Sequence, residues 1–142
     1  MSARGLYTPE ILAAAMGLAD YPWEESLPFQ GAARSRSCGS AIELGVSLDA
    51  AGNIDRIALR PHACAVGQAA ASIFARSANG RNSADIAAAR NALAHWLADE
   101  GAEPDWPGIA LLAPARAYPA RHAAILLAWD AALAALSAAV SA

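Results

Sequence analysis

Two cysteines, Cys38 and Cys64, are the residues of this chain best suited to bind a metal or to carry sulfur. A thiolate is both a nucleophile and a ligand for zinc, iron and iron–sulfur clusters. Cys38 lies in the polar stretch Ser37-Cys-Gly-Ser, where Gly39 permits a tight bend that would keep the thiol exposed. Cys64 lies where a helix is expected to begin, and the positive end of a helix dipole favours the thiolate. The two thiols could form one site if the fold brings them together.

Two histidines are candidates to complete such a site. His62 lies two residues before Cys64, and His122 lies in the first turn of the last expected helix. Zinc accepts imidazole and thiolate together. Each residue also has a simpler interpretation. His62 can be a solvated loop residue, His122 a polar residue at a helix start, and unpaired cysteines often pack as small hydrophobic residues.

Length, charge and cysteine usage narrow the class of protein. At 142 residues we expect a single domain, residues 1–142, large enough to bury a core without disulfides. The net charge of -3 argues against nucleic acid as a partner. Two distant cysteines and no export signal indicate reduced thiols and a cytoplasmic protein.

The C-terminal segment from His122 is apolar enough to raise the question of a membrane span. Asp130 lies inside this segment. An acid near the centre of a span costs about 3 kcal/mol on insertion scales. We therefore expect a packed helix and no membrane association.

The middle of the chain predicts a three-stranded antiparallel sheet. From Gly31 the pattern has a period of two: arginines alternate with serines from Arg34 to Ser37, and apolar residues recur at every second position from Ile42 to Leu48. This predicts two strands, and alternation from Ile54 to Arg60 predicts a third. The turn residues Asp49-Ala-Ala-Gly-Asn separate the second and third strands. Such a meander needs helices to cover one face. On the third strand, alternation predicts one face with Asp55, Ile57 and Leu59.

Helices are expected on both sides of this sheet in the sequence. The first begins at Pro9 after the N-cap Thr8 and runs to about Ala19. The second runs from about Cys64 to Ala78 and closes at Asn79-Gly80.

Two further helices follow. Asn82 or Ser83 can cap the first of them. The proline-rich stretch from Glu103 to Pro114 is expected to be a loop, and Pro119 then opens a long final helix. The spacing of the final helix predicts a buried stripe formed by Ile125, Trp129, Leu133, Leu136 and Val140.

The meander has a consequence for the two thiols. Its third strand returns to the end of the sheet at which the first turn lies. We therefore expect Cys38, in that turn, and Cys64, just after the third strand, at the same end. The fold class is α+β, with a three-stranded antiparallel sheet covered on one face by helices.

Three short motifs, taken in order, resemble those of a known group of proteins. Ser37-Cys-Gly-Ser resembles a Cys-Gly-Asp turn that introduces a strand. His62-Ala-Cys-Ala-Val-Gly-Gln-Ala-Ala-Ala-Ser resembles a Gly-Cys-x-Ile-Ser-x-Ala-Ser-Ala-Ser segment that carries a second cysteine into a helix. Tyr118-Pro-Ala-Arg resembles the start of a Phe-Pro-Ala-Arg-x-x-Cys-x-x-x-x-Trp segment, with Arg121 and Trp129 in register. These motifs belong to the iron–sulfur cluster scaffolds IscU, NifU (N-terminal domain) and SufU, and the resemblance spans about Gly31 to the end.

The resemblance implies a SufE/NifU-like fold and a scaffold or carrier that is not an enzyme. Its ligand set is three cysteines and an aspartate, but here Ser40 occupies the aspartate position and Ala124 the third cysteine position. Only Cys38 and Cys64 carry over, with Arg121 beside the cofactor. Two ligands of the set are therefore missing.

A cluster, iron or zinc held by two thiolates would need further ligands. His62, His122 or groups from a second chain could supply them. His122 is two residues from the position of the lost cysteine, which on a helix turns it about 200° away and argues against this substitution. Binding of no metal at all is the remaining alternative.

Three functions stay open at this point. The first is a scaffold that receives sulfur from a cysteine desulfurase and passes a cluster to apo-proteins. The second is a SufE-like sulfur acceptor that takes persulfide on Cys38 without metal. The third is an interaction module with inert thiols, in which Cys38 and Cys64 could also form a disulfide. The sequence leaves the oligomeric state open.

Overall fold

A computed structural model describes residues 5–36 and 39–141 of the chain. Its sheet has three antiparallel strands in the order β1-β2-β3. They are β1 (Phe29–Arg34), β2 (Ala41–Leu48) and β3 (Ile54–His62). The predicted meander and the α+β class are confirmed. Four α-helices accompany the sheet in the described residues: α1 (Pro9–Met16), α2 (Ala65–Arg76), α3 (Ser83–Leu97) and α4 (His122–Ser141).

Local capping chemistry sets the starts of α1 and α3. Thr8 caps α1 through its hydroxyl, which accepts from the Ile11 N–H at 3.1 Å. Asn82 caps α3, and its side chain and that of Asp85 bond reciprocally to each other's backbone N–H groups. Helix α1 ends earlier than predicted, and the chain continues to Asp20 as a 3-10 turn.

A bulge changes the facing of β3. Ser47 pairs with Arg56, but the next residue, Leu48, pairs with Ile54, so Asp55 has no partner on β2. The alternation is displaced by one residue at this point, and Asp55 is exposed while Ile54 and Ile57 are buried. The prediction that Asp55 shares a face with Ile57 is therefore wrong.

Helix α4 lies directly on the sheet because β1 offers no side chain at the crossing. A Cβ on Gly31 would collide with the carbonyl oxygen of Ala131 and the amide nitrogen of Ala135. The helix backbone thus touches the strand, and α4 contacts β1, β2, α2 and α3. The opposite face of the sheet carries the polar side chains.

Three aromatic rings fill the core between α2 and α4. Phe74 stacks on Trp106 with ring centroids 5.3 Å apart, and Trp129 meets both rings edge-on. The Trp106 indole donates to the Ile73 carbonyl at 3.1 Å. Residue Trp129 is fully buried, as the predicted stripe requires.

The end of the stripe was predicted wrongly. Val140 is 85% exposed, because the last turn of α4 extends beyond the elements on which the helix packs. The start of the helix also differs. Pro119–Arg121 forms a 3-10 turn, closed by the Arg121 N–H on the Tyr118 carbonyl, before α4 begins at His122. The expected loop before it likewise contains a 3-10 segment, Ile109–Ala117.

The segment Pro119–Val140 is long and apolar enough to cross a membrane by length and composition alone. In the structure more than half of its most apolar part is buried by protein. Asp130 forms an ion pair with Arg90 of α3 at 2.9 Å, which accounts for an acid in an apolar helix. These contacts are those of a core helix.

Replacing Gly31 with alanine should destabilise the fold by about 3 kcal/mol or more, since the new methyl group would collide with helix backbone rather than with a movable side chain. Urea unfolding followed by circular dichroism measures the loss. The neighbouring exposed position provides the control: Ala32→Val should change the free energy of unfolding by less than about 0.5 kcal/mol. Equal stability of the two variants would contradict the packing described.

Candidate functional site

One end of the sheet gathers the elements that carry the predicted site. Arg34 pairs with Ala41, and Ala41 pairs with His62, so the ends of all three strands are aligned. The Ser35 N–H donates to the Ser40 carbonyl at 2.7 Å and closes the connection between β1 and β2. The connection containing position 38 and the end of β3 that leads to Cys64 therefore lie at the same end.

Cys38 itself, with Ser37, lies outside the described residues. Its distance from Cys64 stays a prediction. The neighbouring Gly39 has a φ of +72°, the left-handed conformation that the predicted tight bend requires. Ser40, at the position of the expected aspartate, is buried.

Cys64 is the N-cap residue of α2. Its backbone is extended, with φ -64° and ψ 169°, and its carbonyl accepts the first helical hydrogen bond from Gln68 at 2.9 Å. The thiol makes no capping hydrogen bond, and the first turn of α2 contains no acidic residue. The side chain is half-buried against the core. The Cys64 thiol is free, and its residue lies at the positive end of the α2 dipole.

The first turn of α4 packs on the first turn of α2. A Cβ on Gly67 would lie 2.9 Å from the Cβ of Ala63 and 3.5 Å from the Cβ of Ala124. Ala124 is therefore close to the residues that flank Cys64, where the resemblance places a third cysteine. It is almost fully buried, and its methyl group offers no ligand atom.

The two histidines occupy different surroundings. His62, the last residue of β3, is exposed. His122 is half-buried, and its Nε2 lies 3.1 Å from the Ala115 carbonyl oxygen. That contact leaves Nδ1 as the ring nitrogen open to a ligand role.

Arg121 ends the 3-10 turn before α4 and is half-buried. Within residues 5–36 and 39–141, no three His, Cys, Asp or Glu side chains converge closely enough to hold a metal ion.

The outer face of the sheet carries a row of interactions that sequence analysis missed. Arg60 binds Glu43 with two hydrogen bonds, at 3.1 and 2.8 Å, and its guanidinium stacks 4.3 Å from the ring centre of Trp23. The hydrogen bonds from Arg60 hold the pKa of Glu43 below its usual range, and the charge of His62 acts in the same direction. Glu43 and Arg60 are visible in the sequence as opposite charges on two predicted strands. The register between β2 and β3, which places them opposite each other, cannot be read from the sequence.

Beside this row lies an open groove of about 390 Å³. Small side chains, Ala32 and Ala41, line its floor, and Arg34, Glu43 and His62 line its rim. The groove borders the sheet end that leads to Cys64. Sequence analysis did not predict it.

The architecture is thus a three-stranded meander with helices packed on one face and a cysteine that caps the helix after the third strand. The structure resembles that of the N-terminal part of a nitrogen-fixing NifU-like protein from Brucella abortus, with 29% identity and a TM-score of 0.82 over 94% of this chain and 93% of that one. The resemblance to the IscU, NifU and SufU group is thereby confirmed. It extends beyond the predicted span from Gly31 and includes α1.

A second solved structure has the same fold at lower identity. It is described as an iron–sulfur cluster assembly scaffold protein for the SUF system of the thermophile Fervidobacterium islandicum AW-1. It is 18% identical with a TM-score of 0.83, over 95% of this chain and 99% of that chain. No protein-family model matches the chain, and no curated protein matches it significantly.

Replacing Arg60 with glutamine should raise the pKa of Glu43 towards its usual value, because the hydrogen bonds from Arg60 are the main cause of the lowering. In the wild type, the stability due to this pair is present above the ordinary carboxyl pKa and is lost as the pH falls through the lowered one. A carboxyl NMR titration measures the change. Arg56→Gln is the matched control, since Arg56 bonds to Glu24 instead; an unchanged Glu43 titration in R60Q would contradict the assignment.

Proposed function

We propose that this protein is an iron–sulfur cluster assembly scaffold or carrier that takes up sulfur and iron through Cys38 and Cys64. The observation that carries the proposal is the free Cys64 thiol, which makes no capping hydrogen bond at the start of α2. It lies at the sheet end that also holds the connection with Cys38. The likeness to a NifU-like N-terminal domain supports the same conclusion.

Sulfur uptake needs no metal at the start. A cysteine thiolate attacks the outer sulfur of a persulfide on a cysteine desulfurase. A new S–S bond forms on this chain, the old one breaks, and the desulfurase cysteine leaves as a thiolate. This exchange is redox-neutral and needs no further oxidant or reductant. The protein keeps the transferred sulfur, so it acts as an acceptor and carrier and not as an enzyme. We place this exchange in the cytoplasm, where thiols stay reduced.

The missing ligands shape the proposal. Ser40 and Ala124 provide no carboxylate or thiolate, so Cys38 and Cys64 alone hold iron weakly. His122 Nδ1 or His62 can add one nitrogen, and Arg121 can compensate the negative charge of a thiolate-bound cluster. A donor or recipient protein completes the coordination while cargo is transferred. Weak, incomplete binding suits a carrier that must release its cargo to apo-proteins.

Anaerobic reconstitution with ferrous iron and sulfide tests this function. The wild type should develop visible charge-transfer absorption, and Cys38→Ala and Cys64→Ala should each lose most of it, because each removes one of two thiolate ligands. The control is His95→Gln, which changes an exposed histidine on α3. Absorption that both cysteine variants retain in full would end the scaffold proposal.

A sulfur acceptor without metal is the second candidate. It is favoured by Ser40 and Ala124 at the positions of two expected ligands, because a sulfur acceptor needs one reactive cysteine and no metal. Mass spectrometry after incubation with a desulfurase and cysteine distinguishes the two. Added sulfur on Cys38 together with failed iron reconstitution would establish the acceptor, whereas iron-dependent absorption would establish the scaffold.

Restoring the missing ligands should strengthen metal binding. The double variant Ser40→Asp/Ala124→Cys should bind zinc at least about tenfold more tightly than the wild type, since it adds a carboxylate and a thiolate at the positions implied by the resemblance. Competition with a chromogenic chelator measures the affinity. Ala128→Cys, a buried position one turn further along α4, is the control; equal gains in both variants would show that the added cysteine acts non-specifically.

A further inference from the structure

The charges of this chain are separated between the two ends of the sheet. At the end that leads to Cys64, Arg34, Arg36 and His62 are exposed and Arg121 is half-buried. No ion pair of these three arginines occurs among the described residues. In the described residues, ion pairs are formed instead by Arg56, Arg60, Arg90 and Arg116.

Acidic side chains collect at the opposite end. Asp49 lies in the turn between β2 and β3, and Asp55 is exposed on the bulge that follows. Asp20 and Glu24 lie beside Asp55 in a second surface pocket, where one cation, Arg56, is ion-paired with Glu24. Although the net charge of the chain is -3, the end of the sheet at the candidate site is therefore cationic.

The groove of about 390 Å³ belongs to the cationic end. Its single carboxylate, Glu43, is already neutralised by two hydrogen bonds from Arg60. Because the side chains of Ala32 and Ala41 are short, the backbone of another chain can approach the sheet closely at the groove. Towards the middle of the sheet the outer face is covered, because the Leu27 side chain lies 3.4 Å from where a Cβ of Gly45 would stand and the Trp23 ring stacks on Arg60.

We propose that this groove binds an extended, acidic segment of the protein that exchanges sulfur or cluster with Cys64. The inference rests on the proposed function and names the chemistry of its partner. Aspartate or glutamate side chains of the segment pair with Arg34 and accept a hydrogen bond from the His62 ring, while its backbone lies on the alanine floor. Such charge pairs raise the association rate and fix the orientation of a transient complex.

The observations argue against a second copy of this chain as the occupant. Two copies that met through this face around a two-fold axis would bring equivalent patches together. The carboxylate in each patch, Glu43, is already bonded to Arg60, so a second copy offers Arg34 no free acid.

A peptide titration followed by amide NMR tests the groove without metal or sulfur. A short glutamate-rich peptide should shift the amides of Ala32, Arg34, Ala41 and His62, and a lysine-rich peptide of equal length should not. Arg34→Glu should weaken binding of the acidic peptide by about tenfold, because one attraction becomes a repulsion. Arg34→Lys should retain most of the affinity. Raising the salt from about 50 to about 200 mM should weaken wild-type binding.

Arg76→Glu is the matched control. Arg76 is exposed in the last turn of α2, at the far end of that helix from Cys64, and no ion pair of Arg76 occurs in the described part of the chain. This variant should bind the acidic peptide as the wild type does. Equal loss in R34E and R76E, or amide shifts confined to residues 49–57, would overturn the proposal. Failed cluster reconstitution with intact peptide binding would overturn the scaffold function alone, so the two failures are distinguishable.

Discussion

Two close backbone approaches by α4 hold the molecule together. One is the contact with β1 at Gly31, where any side chain would collide with the helix backbone. The other joins the first turns of α4 and α2, where Ala124 packs beside Gly67. The first contact sets the distance between helix and sheet, and the second brings the start of α4 to the residues around Cys64. The aromatic cluster of Phe74, Trp106 and Trp129 then fills the space that these two contacts leave.

Stability and chemistry are located in different parts of the same elements. The middle of each helix faces the core, whereas the N-terminal ends of α2 and α4 reach the open end of the sheet. There the side chains are small, sulfur-containing or cationic. Ser40 and Ala124 are both buried at this end, where they contribute to the packing and offer no carboxylate or thiolate.

Local rules predicted much of the architecture. Thr8 and Asn82 mark helix starts because a side-chain oxygen satisfies backbone N–H groups within three residues. Alternation located β2 and β3, whereas β1 (Phe29–Arg34) begins before the predicted Gly31 and ends before most of the alternating stretch from Arg34 to Ser37. The errors concern features that depend on contacts between distant segments of the chain. The bulge at Asp55 depends on the register between β2 and β3. The exposure of Val140 depends on where the elements packed against α4 end. The groove and the Arg60–Glu43 pair were missed for the same reason. At the site, the position of Cys64 as a helix cap was predicted correctly, while the approach of Cys38 to it stays a prediction.

The stacking of Trp23 under Arg60 gives the groove an optical reporter. Of the four tryptophans, Trp96, Trp106 and Trp129 are at most 4% exposed, whereas Trp23 is half-buried beside the groove. Its indole also donates to Glu25 at 2.8 Å on the protein surface. A water-soluble quencher such as iodide or acrylamide will therefore reach this indole first. The quenchable part of the intrinsic fluorescence then reports on occupancy of the outer face, without a dye or a label.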